Sequence, residues 1–278
     1  MINSILVPID SSAHSRAAVE HALDLGRAYR ARMTGLQVLD IRYLEMPPYL
    51  DYSYTFEAMP PTIAPLEVME KFRLKSERLL NDFREAVERA GLPVETRTEE
   101  GVPGHVIADI GGAHDLVVMG KRGEHAKWGR DLLGSTTENV IRHSATPVFL
   151  VEGKSRPARS ALMMFDGSHA ANRALKLAAD LALRIGVDLR VLTVDDDRGR
   201  GEATQAEARA YLQPLRLRST YRVVPGRIAK TVPGALEDDP ADVVILGMRG
   251  HSALHDLILG STAEQVIRSV ELPILLVP

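Results

Sequence analysis

Short runs of continuous apolar residues alternate along the chain with longer stretches whose apolar positions recur every three to four residues. Ser4–Ile9 and Gly35–Leu39 read as buried strands, and between them Ser15–Arg30 sets Val19, Ala22, Leu23 and Gly26 on one helical face. Leu66–Ala90 reads as a long helix of alternating charge. A strand at Val94–Thr98, a helix from Gly104, a strand at Leu116–Met119, a helix from Thr136 and a strand at Val148–Val151 follow. The same order returns from Ser160 to Val277, which predicts five strands and four helices in each half. Strands that are apolar throughout, alternating with helices, belong to a parallel sheet covered on both faces. The expected fold class is α/β, with two tandem doubly wound five-stranded parallel-sheet domains.

The second half is a copy of the first. ILVPIDSS (Ile5–Ser12) matches ALMMFDGS (Ala161–Ser168), and VVMGKRG…LLGSTTENVIRHSATPVFLV (Val117–Val151) matches VILGMRG…LILGSTAEQVIRSVELPILLV (Val244–Val277). The aspartates Asp10 and Asp166 stand 156 residues apart and the glycines Gly120 and Gly247 127, so copy one is longer by 29 between these marks. Most of that excess falls in Asp40–Pro65, which holds Tyr43, Tyr49, Tyr52 and Tyr54 and five prolines (Pro47, Pro48, Pro60, Pro61 and Pro65). A lid over copy one, a partner contact and an ordinary surface loop are all open readings of this insert. The polar link Glu152–Arg159 is short, so domains at 1–152 and 157–278 are expected to pack closely. The last strands, Pro147–Val151 and Pro273–Val277, lie at sheet edges, where pairing within or between chains would shield exposed backbone groups.

Composition narrows the chemistry. With 278 residues and no cysteine, disulfide scaffolds, thiolate zinc sites and thiol nucleophiles are excluded. A net charge of −3 gives no global pull toward nucleic acid or anionic lipid. No long apolar run and no basic leader with an apolar core stand in the sequence, so a cytoplasmic protein with no membrane and no nucleic-acid partner is expected. No GxxxxGK[ST], GxGxxG or GxSxG string follows a strand. His251 and His255 have metal-compatible spacing but no supporting ligands, so no metal site and no catalytic residue are expected.

Ligands of doubly wound sheets bind beyond the carboxyl ends of the strands, where strand order reverses. Asp10 and Asp166 end the first strand of each copy. After the fourth strand of copy two stand Gly247-Met-Arg-Gly250, nine residues, and Gly260-Ser261-Thr262. Glycines bring backbone N–H groups close to an anion, and the helix beginning at Ser261 adds a positive dipole end. Two blander readings stand beside the phosphate site. Ser135-x-x-Glu138 and Ser261-x-x-Glu264 fit capping boxes, and the strand-one aspartates fit helix N-caps. Lys121, Arg122 and Arg249 read equally as phosphate partners and as solvated loop cations. Trp128 reads as a plug over the copy-one loop.

The ordered set resembles the universal stress protein family, in its tandem two-domain form, over essentially the whole chain. Its nucleotide-binding members carry Gly-x2-Gly-x9-Gly-Ser/Thr, matched in full by copy two, GMRGHSALHDLILGST, and a strand-one Asp-Gly-Ser, matched by Asp166-Gly167-Ser168. The resemblance implies adenine nucleotide alpha hydrolase-like domains packed as a pseudo-dimer, with or without assembly into a homodimer. It implies ATP or another adenine nucleotide as ligand, with or without Mg2+. Asp166 would bind the adenine and Val194 would meet the base through its backbone. Gly247 and Gly250 would line the ribose and diphosphate, Gly260, Ser261 and Thr262 would hold the outer phosphates, and Arg249 is a further nucleotide-binding candidate. The matching copy-one positions are Asp10, Val38, Gly120, Gly123, Gly134, Ser135 and Thr136. Copy one departs by ten residues between Gly123 and Gly134 and by Ser11 after Asp10. Copy two is therefore the favoured site. The function implied is a stress-response regulator whose nucleotide alters conformation or association with an unidentified protein partner. A slow ATPase or self-phosphorylating enzyme, with Ser261 or Thr262 as acceptor, and a non-nucleotide adaptor are the alternatives.

Overall fold

The computed structural model describes residues 1–43, 65–123, 133–248 and 259–278. Pro47, Pro48, Tyr49, Tyr52, Tyr54, Pro60 and Pro61 of the insert lie outside the described residues, as do Trp128, Arg249, Gly250, His251 and His255. The first half runs β1 (Ser4–Pro8), α1 (Ala13–Tyr29), β2 (Arg32–Asp40), a 3-10 turn (Ile41–Tyr43), α2 (Pro65–Arg89), β3 (Val94–Gly101), α3 (Pro103–Gly111), β4 (Leu116–Gly120), α4 (Ser135–His143) and β5 (Val148–Val151). The second runs β6 (Ser160–Met164), α5 (His169–Ile185), β7 (Asp188–Val194), α6 (Arg198–Leu212), a 3-10 turn (Gln213–Leu215), β8 (Ser219–Val224), α7 (Ile228–Asp238), β9 (Val243–Gly247), α8 (Ser261–Ser269) and β10 (Ile274–Val277).

The strands form one sheet in the order β3-β2-β1-β4-β5-β10-β9-β6-β7-β8. Every pairing is parallel except β5 with β10. There Phe149 faces Leu275, its counterpart in the repeat, flanked by Val148 with Leu276 and Leu150 with Ile274. The register is therefore symmetric about that pair, which fits the expected pseudo-dimer. The two edge strands satisfy each other's backbone groups within the chain. In each half the strand order reverses between the first and fourth strands, β1/β4 and β6/β9.

Alternate strand residues face two apolar layers, which is why the strands read as unbroken apolar runs. Ile5, Val7, Leu116 and Val118 pack with residues of α1 and α2, as Met163, Leu189 and Ile245 do with α5 and α6. Leu6, Val117 and Met119 pack with α3 and α4, and Leu162, Val244 and Leu246 with α7 and α8. Each wholly buried Leu or Ile contributes about 1.5–3 kcal/mol relative to exposure. A carboxylate clamps the start of each half-sheet. Asp115 Oδ2 accepts from the Asn3 and Ser4 N–H groups at 2.8 and 3.0 Å, and Asp242 Oδ2 from Arg159 and Ser160 at 2.7 and 3.0 Å.

Candidate functional site

Both strand-one aspartates shape the turn that follows them. Asp10 Oδ1 accepts from the Ser12 N–H at 2.8 Å, and Asp166 Oδ1 from Ser168 at 2.9 Å. The helix caps are the serines: Ser12 accepts from Ser15 N–H and Ser168 from Ala171 N–H. The N-cap reading of the aspartates is thus corrected, because a residue two positions ahead of the cap reaches the turn and not the helix. Gly167 takes a φ of 77°, a conformation open to glycine, whereas Ser11 has no positive φ. The two turns therefore differ in backbone shape.

The second strand overhangs the first. Pairing of β1 with β2 ends at Pro8 and Leu36, Ile9 N–H closing on the Leu36 carbonyl at 2.7 Å, while β2 runs on to Asp40 beside β3. Val38 lies in that overhang. Pairing of β6 with β7 ends at Met164 and Leu192, and Val194 overhangs in the same way.

The glycines divide into different jobs. A Cβ on Gly120 would stand 2.6 Å from His14 Cβ and 3.1 Å from the His14 carbonyl carbon. One on Gly247 would stand 2.7 Å from the Ala170 carbonyl carbon. The first glycine of each motif thus lets α1 or α5 press on the fourth strand. Gly123 instead faces Asp10, whose Oδ2 would be 3.0 Å from a Cβ there. Gly134 closes the loop by donating its N–H to the Lys121 carbonyl at 3.1 Å, and Gly260 does the same to Met248 at 2.9 Å.

The capping-box reading also needs correction. Gly134 and Gly260 are the N-caps of α4 and α8, with no side-chain cap bond, which puts Ser135 and Ser261 inside the first turn. Glu138 turns instead to Arg142 and Glu264 to Arg268, at 2.7 and 3.0 Å. Gly134 offers the first-turn N–H groups of α4 no side chain, and Ser135 is exposed at that end. Such a terminus carries a partial positive charge.

In copy one these parts surround one cavity of about 630 Å³. Asp10, Val38, Gly120, Gly123, Gly134, Ser135 and Thr136 all line it, at the β1/β4 reversal. That volume lies within the roughly 300–1,000 Å³ of ligand pockets. The sequence reading missed several other lining residues. Asp40 and Arg42 form an ion pair at the mouth, with 2.8 Å between Arg42 Nε and Asp40 Oδ1. Phe72 and Lys75 come from α2, and Ile107 from α3. No fixed spacing ties α2 or α3 to the glycine motif, so only the topology could reveal them. Thr137, beside Thr136, donates to the Gly120 carbonyl at 3.2 Å and fixes α4 to the end of β4. In copy two, Asp166 just beyond β6, Val194 and Gly247 at the ends of β7 and β9, the N-cap Gly260, and Ser261 and Thr262 at the start of α8 occupy the matching places. Arg249 and Gly250 fall outside the described residues.

The loop cations do not share one role. Lys121 is buried, its Nζ donating to the Val270 carbonyl and lying 3.3 Å from Glu152 Oε2. Arg122 lines the cavity while its Nη2 holds Glu152 Oε1 at 3.0 Å. Burial lowers the Lys121 pKa, against the pull of Glu152. Among the described residues no group of three or more His, Asp or Glu is placed to hold a metal ion, and no helix is long and apolar enough to cross a membrane.

The fold and site define a duplicated, doubly wound α/β protein with a cleft at the strand-order reversal. The universal stress protein family model matches residues 1–152 and 158–278, and the chain belongs to that family. It is 29% identical over 304 aligned residues to a universal stress protein of Mycolicibacterium smegmatis, spanning 98% of this chain and 96% of that one. It is 26% identical over 204 residues to the universal stress protein Slr1230 of Synechocystis sp., covering 72% of this chain and 71% of that protein. The solved structure of a universal stress protein from Archaeoglobus fulgidus superimposes with a TM-score of 0.79 at 24% identity, over 100% of this chain and 98% of the other, which shows the shared fold.

Proposed function

We propose that the chain binds an adenine nucleotide, ATP with or without Mg2+, and acts as a cytoplasmic regulator whose conformation or association follows occupancy. The convergence of seven motif positions on one cavity at the strand-order reversal carries this reading for copy one. The full glycine motif supports it for copy two. A Cβ at Gly123 would crowd the Asp10 carboxylate, so the cradle is shaped for something that needs that space.

Asp10 and Asp166 accept from the exocyclic amine of the purine, and the overhanging edges at Val38 and Val194 meet the base through backbone groups. Gly123 and Gly250 admit ribose and diphosphate. First-turn amides of α4 and α8, with the hydroxyls of Ser135, Thr136, Ser261 and Thr262, hold the outer phosphates. Mg2+, arriving with the nucleotide, supplies neutralising charge on those phosphates. Occupancy shifts an equilibrium between domain or subunit arrangements only by its differential affinity for them.

Calorimetry with ATP and Mg2+ on the full chain tests the reading. Gly134→Leu should remove the copy-one sites and Gly260→Leu the copy-two sites. No binding heat from the unmodified chain at millimolar ATP would overturn it. Release of inorganic phosphate during the same titration would replace a binding protein with an ATPase.

A further inference from the structure

We infer that Lys121 is a positioning residue that ties the phosphate-binding end of copy one to the C-terminus of α8 in copy two, so that nucleotide in the first half is sensed in the second. The inference rests on the nucleotide reading proposed above.

The main chain of Lys121 belongs to the copy-one loop. Its N–H donates to the Val151 carbonyl at 3.0 Å, and its carbonyl accepts from Gly134, the N-cap of α4, at 3.1 Å. Its neighbours Gly120, Arg122 and Gly123 line the cavity. The side chain belongs to the other half. Nζ donates to the carbonyl of Val270, the C-cap residue of α8, where a cation also complements the helix dipole. Glu152 closes the connection, since its two oxygens hold Lys121 at 3.3 Å and the cavity residue Arg122 at 3.0 Å. One residue therefore joins the loop that would move on binding to a helix end in the opposite domain.

Burial makes the joint stiff. Lys121 is only 5% exposed, so water cannot readily replace a lost acceptor. A shift of Gly134 or Arg122 must drag the end of α8 or break a buried charge-assisted bond. The connection is made on one side of the seam only. The residue matching Lys121 in copy two is Met248, buried among the apolar residues beneath α7 and α8. The C-cap of α4, Ser144, bonds within its own loop to the Thr146 carbonyl at 2.8 Å. The duplication has kept the packing and placed an ammonium on one side alone.

Hydrogen exchange on the full chain, with and without ATP and Mg2+, tests the tie at the amides of Ile267 to Val270. Direct binding in copy two contributes equally in every copy-one variant, so the informative quantity is the protection that copy-one changes remove. Lys121→Met copies the residue already tolerated at position 248. It should reduce ATP-induced protection at these amides by at least about fivefold, within the usual range of coupling between sites. Lys121→Arg, which keeps a cation, should restore it. A merely structural lysine would change protection equally with and without ATP and leave the difference intact. Gly134→Leu blocks the copy-one cup, puts its Cβ at an ordinary 3.5 Å from the Lys121 carbonyl oxygen and leaves the Lys121 ammonium on Val270. It should remove the same increment, and its failure to do so overturns the coupling even if Lys121→Met fails to fold. If ATP binds but the increment survives Gly134→Leu or Lys121→Met, the coupling is wrong and the nucleotide reading stands. If the unmodified chain binds no ATP, the nucleotide reading fails first.

Discussion

Replacing the two glycines of the copy-one motif should separate packing from binding. In Gly120→Ala the added methyl would lie 2.6 Å from His14 Cβ, 3.0 Å from the Arg122 carbonyl oxygen and 3.1 Å from the His14 carbonyl carbon. Optimal carbon–carbon contact is about 3.5–4.0 Å, so α1 must retreat from β4 by the order of 1 Å. Two of these neighbours are backbone atoms, which no rotamer change can move. Overpacking of this kind costs about 1–3 kcal/mol, offset by about 0.4–1 kcal/mol from the stiffer unfolded chain. A net loss of about 1–2 kcal/mol should lower the urea midpoint by roughly 0.5–1 M at a slope of about 2 kcal/mol/M. Gly123→Ala adds a methyl that, among the described residues, meets only Asp10 Oδ2, at 3.0 Å, a contact relieved by a shift of a few tenths of an ångström that leaves Oδ1 on the Ser12 N–H. The variant's unfolding free energy should stay within about 0.5 kcal/mol of the parent, while ATP affinity falls about tenfold, or about 1.4 kcal/mol. Urea unfolding followed by circular dichroism, together with ATP calorimetry, reads both effects. Should Gly120→Ala unfold like the parent yet lose ATP binding, the first glycine faces the ligand and the assignment of α1 contact to it is wrong.

Two further outcomes follow from single contacts. Asp115→Ala removes the acceptor shared by Asn3 N–H, Ser4 N–H and Ser4 Oγ, the last at 3.1 Å, and should cost about 2–4 kcal/mol in urea unfolding. An unchanged midpoint would mean that water serves these groups as well. His21 is buried against the Phe149 ring at 5.7 Å, near the Gly153 backbone, with Asp24 and Glu20 on its own helix. Desolvation lowers its folded pKa below the ordinary histidine value despite those carboxylates. The unfolded chain therefore binds more protons than the folded one as pH falls below about 6.5, and stability is lost on acidification. His21→Leu should flatten the fall in melting temperature between pH 7 and pH 5, and an equally steep fall would remove His21 as its source.

The alternation of strands and helices, the duplication and the place of the cleft were legible because buried parallel strands leave unbroken apolar runs and glycine motifs leave fixed spacing. The limits of that legibility are physical. Thr98 was the expected end of β3, but the strand continues through exposed Glu99 and Glu100 to Gly101, since backbone pairing with Asp40 needs no apolar side chain. Likewise β2 begins at Arg32 instead of Gly35, because Ser4 pairs there. Spacing also says nothing about the direction of a Cβ, so Gly120 and Gly123 looked alike although one admits a helix and the other faces a carboxylate. Lys121 shows the same limit most fully. Beside two motif glycines it reads as a phosphate partner or a solvated loop cation, and what turns it from both is Val270, 149 residues further along the chain. A loop motif copied by duplication keeps its spacing in both halves, while the partner across the seam is set by the antiparallel pairing of β5 with β10. The difference between Lys121 and Met248 has meaning only once that seam is formed, and there it makes two matching halves unequal.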